Sequence, residues 1–134
     1  MSDTSEKKTL RKEERLNSLI LIERMFSGGS KSLSAFPLRA VFLPVEGEDY
    51  PTASYLISVP KKRFKHAVDR NRVKRQVREA IRKHKHVLTD VLEAGGRKAV
   101  LAFIWLDSNL HASAEVDGRV EKLFHLVAER FVKP

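Results

Sequence analysis

The chain has 134 residues, 42% hydrophobic and 32% charged, and its 26 lysines and arginines outnumber 17 acidic residues for a net charge of +9. That length supplies one core and argues against two ordinary domains or a catalytic domain with a large cleft. The absence of cysteine excludes a disulfide framework, a thiolate nucleophile and any sulfur-based zinc site, and it fits a reducing compartment.

The start, Met1-Ser-Asp-Thr-Ser-Glu-Lys-Lys8, has no apolar stretch behind its charges. The longest apolar run, Ala99 to Leu106, falls far short of the roughly 20 residues that span a bilayer. The expectation is a cytoplasmic protein with no membrane partner and no secretory signal. Residues 1–8 are expected to form a disordered tail, and residues 9–134 a single domain. Leu16, Leu19, Ile20, Ile22, Met25 and Phe26 recur at helical spacing behind Asn17 and Ser18, either of which can cap, and Ser27-Gly-Gly-Ser30 ends the run. This pattern predicts a short amphipathic helix over 18–26.

Leu38–Leu43 and Ala53–Val59 are rich in β-branched and aromatic residues, and the turn-forming stretch Pro44–Thr52 lies between them. They read as an antiparallel hairpin with a long loop. Alternation places Tyr55, Ile57 and Val59 on one sheet face and Ser54, Leu56 and Ser58 on the other. A basic connector opened by Pro60 leads into a helix over 69–85, and Val87–Glu93 either extends that helix or adds a turn before Gly95-Gly96. The continuous apolar run from Lys98 to Leu106 reads as a buried strand. Ser113 is placed to cap a last helix in which Val116, Val120, Leu123, Phe124, Val127 and Phe131 form an apolar stripe. The order is α-β-β-α-β-α with an additional short strand around Lys31 to Phe36. It describes an α+β two-layer sandwich with helices packed on a mixed sheet of about four strands.

The charge is concentrated. From Lys61 to Lys85 there are twelve basic residues and only two acidic ones, Asp69 and Glu79, so this segment holds the whole excess and the rest of the chain is near neutral. Such a block points to a polyanion, because each neutralised phosphate releases condensed counterions. At about 100° per residue, Val73, Val77, Ala80, Ile81 and His84 share one side of the helix, and Asn71, Lys74, Arg75, Arg78, Arg82 and Lys85 cluster on another. The four-residue spacing of Val73, Val77 and Ile81 predicts a docked helix that presents a rigid cationic row, not a disordered localisation signal. Arginine outnumbers lysine there, and its planar fork can hold two phosphate oxygens at once. Asp69 is expected to cap this helix and Glu79 to pair with Lys83.

Ser58-Val-Pro-Lys-Lys62, Ala67-Val68 and Arg70-Asn-Arg-Val-Lys-Arg-Gln-Val-Arg78 together resemble the bacterial ribonuclease P protein components, whose hallmark is an Arg-Asn-Arg helix after a Ser-x-x-Lys-Lys strand end. Leu16, Met25-Phe26 and Gly29 are similar to that family's first helix and the glycine after it. The resemblance covers residues 10–132. It implies a ribosomal protein S5 domain 2-like fold with a left-handed β-α-β crossover, an exception to the usual hand. It also implies a protein that binds a large catalytic RNA subunit and the 5′ leader of precursor tRNA, while the RNA, using bound Mg²⁺, removes the leader hydrolytically. On this reading Arg70, Asn71, Arg72, Lys74, Arg75, Arg78 and Arg82, with the strand-end Lys61 and Lys62, contact the RNA subunit. Phe26 and Ser58 belong to the leader cleft, where Phe26 offers a ring for base stacking. No catalytic residue, metal ligand or cofactor is expected on the protein itself. Two positions depart from the pattern: Pro60 stands where a small polar residue is common, and Ile22 where some members carry a second cleft aromatic. Phe36 and Phe42 are the aromatics of the first strand region, and either sheet face is open to the cleft assignment.

The chain has no obvious nuclease centre of its own. His66, His84, His86, His111 and His125 are dispersed, with no metal-binding or acid–base spacing among them, and Asp90, Glu93 and Asp107 read as loop and surface charges. Trp105 reads as core. The alternative function is a non-enzymatic RNA-binding module of ribosomal or assembly type. A DNA-binding helix is disfavoured, because only Asn71 and Gln76 in the basic row are suited to reading bases.

Overall fold

The structure is a computed structural model that describes residues 31–132 except Asp49. The expected tail and first helix, and with them Phe26, lie outside the described residues. Strands β1 (Lys31–Ala35), β2 (Leu38–Val45) and β3 (Ala53–Ser58) are followed by a 3-10 turn at Lys61–Arg63. Helices α1 (Ala67–His84) and α2 (His86–Ala94), strand β4 (Lys98–Trp105) and helix α3 (Ser113–Val132) complete the chain.

The sheet order is β1-β2-β4-β3. β2 runs antiparallel to β1 and to β4, whereas β3 runs parallel to β4. The expected hairpin between the second and third strands therefore does not form, because β4 lies between them. The physical reason is burial: Ala99 to Phe103 are wholly buried on both faces, which only an interior strand allows. The hairpin in the chain is instead β1–β2, turning at Phe36-Pro37, and its polar outer strand Lys-Ser-Leu-Ser-Ala suits an exposed edge.

The helices cover one face. Ala40, Phe42, Tyr55, Leu101, Phe103 and Trp105 point into a core shared with Val73, Val77 and Ile81 of α1, Leu88 and Leu92 of α2, and the apolar stripe of α3. Aromatic rings tie α3 to three different strands: Phe124 packs edge-on against Tyr55 and Phe103 at 5.9 and 5.5 Å, and Phe131 lies 5.9 Å from Phe42. Val41, Leu43, Val45, Val100 and Ala102 form a smaller apolar cluster on the opposite face, with Leu56 and Ile104 against it.

Three local expectations are corrected. The basic helix starts at Ala67, two residues earlier than expected, so Asp69 sits in its first turn instead of capping it; there it still favours the helix dipole. Ser113 is the first residue of α3, and the carbonyl of Ala112 accepts the opening bonds from the Glu115 and Val116 amides. Val87–Glu93 belongs to a second helix, set off from α1 at Lys85 and closed by Gly95-Gly96. Gly96 there adopts φ +64°, a conformation that costs a side chain but not glycine.

Candidate nucleic-acid interface

Helix α1 is anchored as its periodicity requires. Val73, Val77, Ala80 and Ile81 are buried, and Asn71, Arg72, Arg75 and Arg78 are exposed. The side chains of Asn71, Arg72, Lys74, Arg75 and Arg78 make no hydrogen bond or ion pair with any other described residue. They form a row of unspent donors on a rigid support. Lys61 and Lys62 are exposed in the 3-10 turn between the end of β3 and the start of α1. The connector thus brings the strand-end lysines next to the amino-terminal turn of the arginine row.

Two expected contacts are already engaged within the protein. The Arg70 guanidinium donates to the Phe64 carbonyl at 3.0 Å and so closes the connector against the helix. Arg82 forms a two-point pair with Glu79, its Nε donating to Oε1 at 3.1 Å and its Nη2 to Oε2. Glu79 therefore pairs three residues on, with Arg82, and not with Lys83 as expected. This hydrogen bond holds the Glu79 carboxyl below the usual glutamate range. Lys83 instead reaches Asp117 of α3 at 3.2 Å, and His84 meets the same carboxylate at 2.9 Å. Burial pushes the Asp117 pKa up, but His84 and Lys83 outweigh it and leave the group below the ordinary aspartate value.

Gln76 is not available as a base reader. Its Nε2 donates to the His111 carbonyl and to Ser113 Oγ, both at 3.0 Å, and so it staples the middle of α1 to the start of α3. Beside this staple, Arg72, Arg75, Gln76, Glu79 and Ser113 line a surface niche of about 480 Å³.

A second correction concerns the histidines. His111 lies between two carboxylates, with Nε2 at 2.7 Å from Asp107 and Nδ1 at 3.1 Å from Glu115. This constellation was missed because its members span a loop; the repeated four-residue spacing Asp107, His111, Glu115 was the available signal. Among the described residues no group of three or more His, Cys, Asp and Glu side chains could hold a metal ion.

On the sheet, Tyr55 and Phe42 face the helices. Ser58 therefore lies on the opposite face, half-buried, in a cross-strand row with Ile104, Arg39 and Ser34. Phe36, at the β1–β2 turn, is 59% exposed, whereas Trp105 is fully buried. No described helix is long and apolar enough to cross a membrane.

A sequence model of the family described as Ribonuclease P matches residues 10–124, which takes in the arginine row, its connector and the whole sheet. The chain belongs to the ribonuclease P protein family. It is 41% identical over 113 residues to the ribonuclease P protein component of Porphyromonas gingivalis, covering 84% of this chain and 82% of that protein. The corresponding protein of Chlorobaculum tepidum is 37% identical over 90 residues, 63% of this chain and 58% of that one. The solved ribonuclease P protein of Staphylococcus aureus superposes with a TM-score of 0.66 at 17% identity, covering 85% of this chain and 94% of that one, and shares the fold. The mixed four-stranded sheet with helices packed on it is the fold of this family.

Proposed function

We propose that the chain is the protein subunit of ribonuclease P. It binds the catalytic RNA subunit and the 5′ leader of precursor tRNA, and it promotes the endonucleolytic cut that leaves the mature tRNA 5′ end. The observation that carries this reading is the row Asn71, Arg72, Lys74, Arg75 and Arg78, whose side chains are unspent among the described residues and held by a helix whose other side is buried. Forked guanidiniums on a fixed pitch suit phosphates held at fixed spacing in a folded RNA.

The protein supplies position and charge, and the chemistry belongs to the RNA. Mg²⁺ bound by the RNA subunit supplies the Lewis acid and the activated water of phosphodiester hydrolysis. The arginine row lowers the repulsion between RNA segments that must approach one another, and so reduces the Mg²⁺ concentration at which the assembly is active. Lys61 and Lys62 extend the cationic track to the end of β3. The leader then passes over the sheet face that carries Ser58, where Arg39 adds a cation. The protein works in the cytoplasm, with no DNA or membrane partner.

The test is to mix the protein with a bacterial ribonuclease P RNA and precursor tRNA at low Mg²⁺. Cleavage at the mature 5′ end should rise. RNA binding without any gain in cleavage would favour an RNA-binding module of the ribosomal or assembly type and overturn this reading.

A further inference from the structure

The β4–α3 loop carries a charged group that the RNA face does not use. Both ring nitrogens of His111 face carboxylate oxygens, Nε2 that of Asp107 at 2.7 Å and Nδ1 that of Glu115 at 3.1 Å. A neutral imidazole has one N–H and would turn a lone pair toward one of these carboxylates, so the geometry is that of the imidazolium, which donates twice. Asp107 is itself fixed by the Ser108 amide at 2.7 Å and the Asn109 side chain at 3.3 Å. The ring packs edge-on against the buried Trp105 at 5.4 Å and faces Phe36 at 6.5 Å. The backbone carbonyl of the same residue accepts the Gln76 side-chain amide from the middle of α1.

We propose that His111 is a proton-controlled positioning residue for the RNA-binding face: as an imidazolium it clamps the β4–α3 loop between Asp107 and Glu115, and through its carbonyl the clamped loop fixes the Gln76 side chain beside Arg72 and Arg75. The proposal rests on the reading of α1 as the RNA face. The charged groups facing the ring are Asp107 from the loop and Glu115 from the first turn of α3. β4 contributes Trp105, the β1–β2 turn Phe36, and α1 the uncharged Gln76. The Asp107 hydrogen bond raises the His111 pKa above its ordinary value against the opposing effect of burial, and Glu115 adds to the rise.

When His111 loses its proton, one nitrogen keeps its N–H and the other becomes an acceptor. Glu115, with 42% of its side chain exposed, is the partner free to turn away to water, whereas Asp107 is held by its other bonds. The loop then loses its tie to α3, and Gln76 loses a fixed acceptor. Arg72 and Arg75, which line the same niche as Gln76, then lose a fixed neighbour for their side chains, while α1 itself stays anchored by Val73, Val77 and Ile81 and Gln76 keeps its bond to Ser113.

Arginine and lysine stay charged across the neutral range, so the direct phosphate contacts are flat in pH there. RNA affinity should nevertheless fall roughly two- to fivefold between about pH 6 and about pH 9, the loss expected when one partly exposed ion-paired tie is released. The experiment measures the Kd for ribonuclease P RNA across this range for the full chain, for His111→Gln and, as a control, for His84→Gln. In parallel, NMR follows the His111 ring and the Gln76 side-chain amide of the free protein. The expected result is a single affinity midpoint coincident with the His111 titration, a Gln76 amide shift at the same pH, a flat profile in His111→Gln, and an unchanged midpoint in His84→Gln. A pH dependence that persists in His111→Gln, or a Gln76 amide that ignores the His111 titration, would overturn the proposal. If the chain binds no RNA at any pH, the functional reading fails instead, and the NMR titration of the free protein still decides whether the latch exists.

Discussion

The arginine row makes a quantitative prediction about salt, because the structure separates cations that are free from cations already spent. Arg75 and Arg78 have no partner among the described residues, whereas Arg82 is held at two points by Glu79. Each phosphate contact lowers the logarithm of the binding constant by about 0.7–0.9 per decade of salt. A fourfold rise in salt therefore weakens binding roughly threefold per contact. The double substitution Arg75→Ala with Arg78→Ala should cut the slope by about 1.4–1.8 units, so the variant loses roughly tenfold less affinity than the parent over that fourfold range. Arg82→Ala should change the slope by less than half of a single free arginine's share, because Glu79 already neutralises that guanidinium. The assay is fluorescence anisotropy or filter binding to the RNA subunit at four or more salt concentrations, with circular dichroism to confirm that each variant folds. The reasoning fails if Arg82→Ala and Arg78→Ala flatten the slope equally, or if the double variant keeps the parent slope.

Three further predictions follow from the same geometry. Glu79→Gln removes the acid that occupies Arg82, and should tighten RNA binding severalfold at low salt and steepen the salt slope; weaker binding by the same assay would count against a spent Arg82. Phe124 is wholly buried against Tyr55 and Phe103, so Phe124→Ala should destabilise the fold by about 3–5 kcal/mol. Urea unfolding would show this as a lower midpoint with little change in m. The Asp107 and Asp117 pKa values are both lowered in the fold, by His111 in the first case and by His84 and Lys83 against burial in the second. Their stabilisation is therefore present above the ordinary carboxylate range, around pH 4, and is lost as pH falls through the lowered values. The raised His111 value works in the opposite direction: its contribution is present below an unfolded histidine's pKa of about 6.5 and is lost as pH rises through the folded value. Thermal melts across pH should show Tm falling on both sides, with His111→Gln flattening the alkaline side and Asp117→Asn the acid side.

Much of the candidate site was legible before any fold was known. The excess charge, the helix that bears it and its anchoring through Val73, Val77 and Ile81 are properties of neighbouring residues, and the structure places each as the spacing demands. The short strand around Lys31 and the buried strand that ends at Trp105 were likewise readable in the sequence, though not that the first lies at the sheet edge. The pairing of strands was not. Leu38–Leu43 and Ala53–Val59 look like hairpin partners because they are adjacent in the chain, and only the burial of β4 on both faces shows why it displaces that contact.

The sequence by itself determined the charge, where it sits and which side of its helix is apolar, because these depend on residue type and helical pitch alone. Only the tertiary structure decided which cations remain free. Glu79 has both Arg82 and Lys83 within one turn, but Asp117, from a helix more than thirty residues away, takes Lys83 and leaves Arg82 to Glu79. Gln76, equally suited by type to a base edge, is drawn to His111 and Ser113 for the same reason. A hydrogen-bonding group goes to the partner that folding places within reach, and sequence separation does not tell which partner that is.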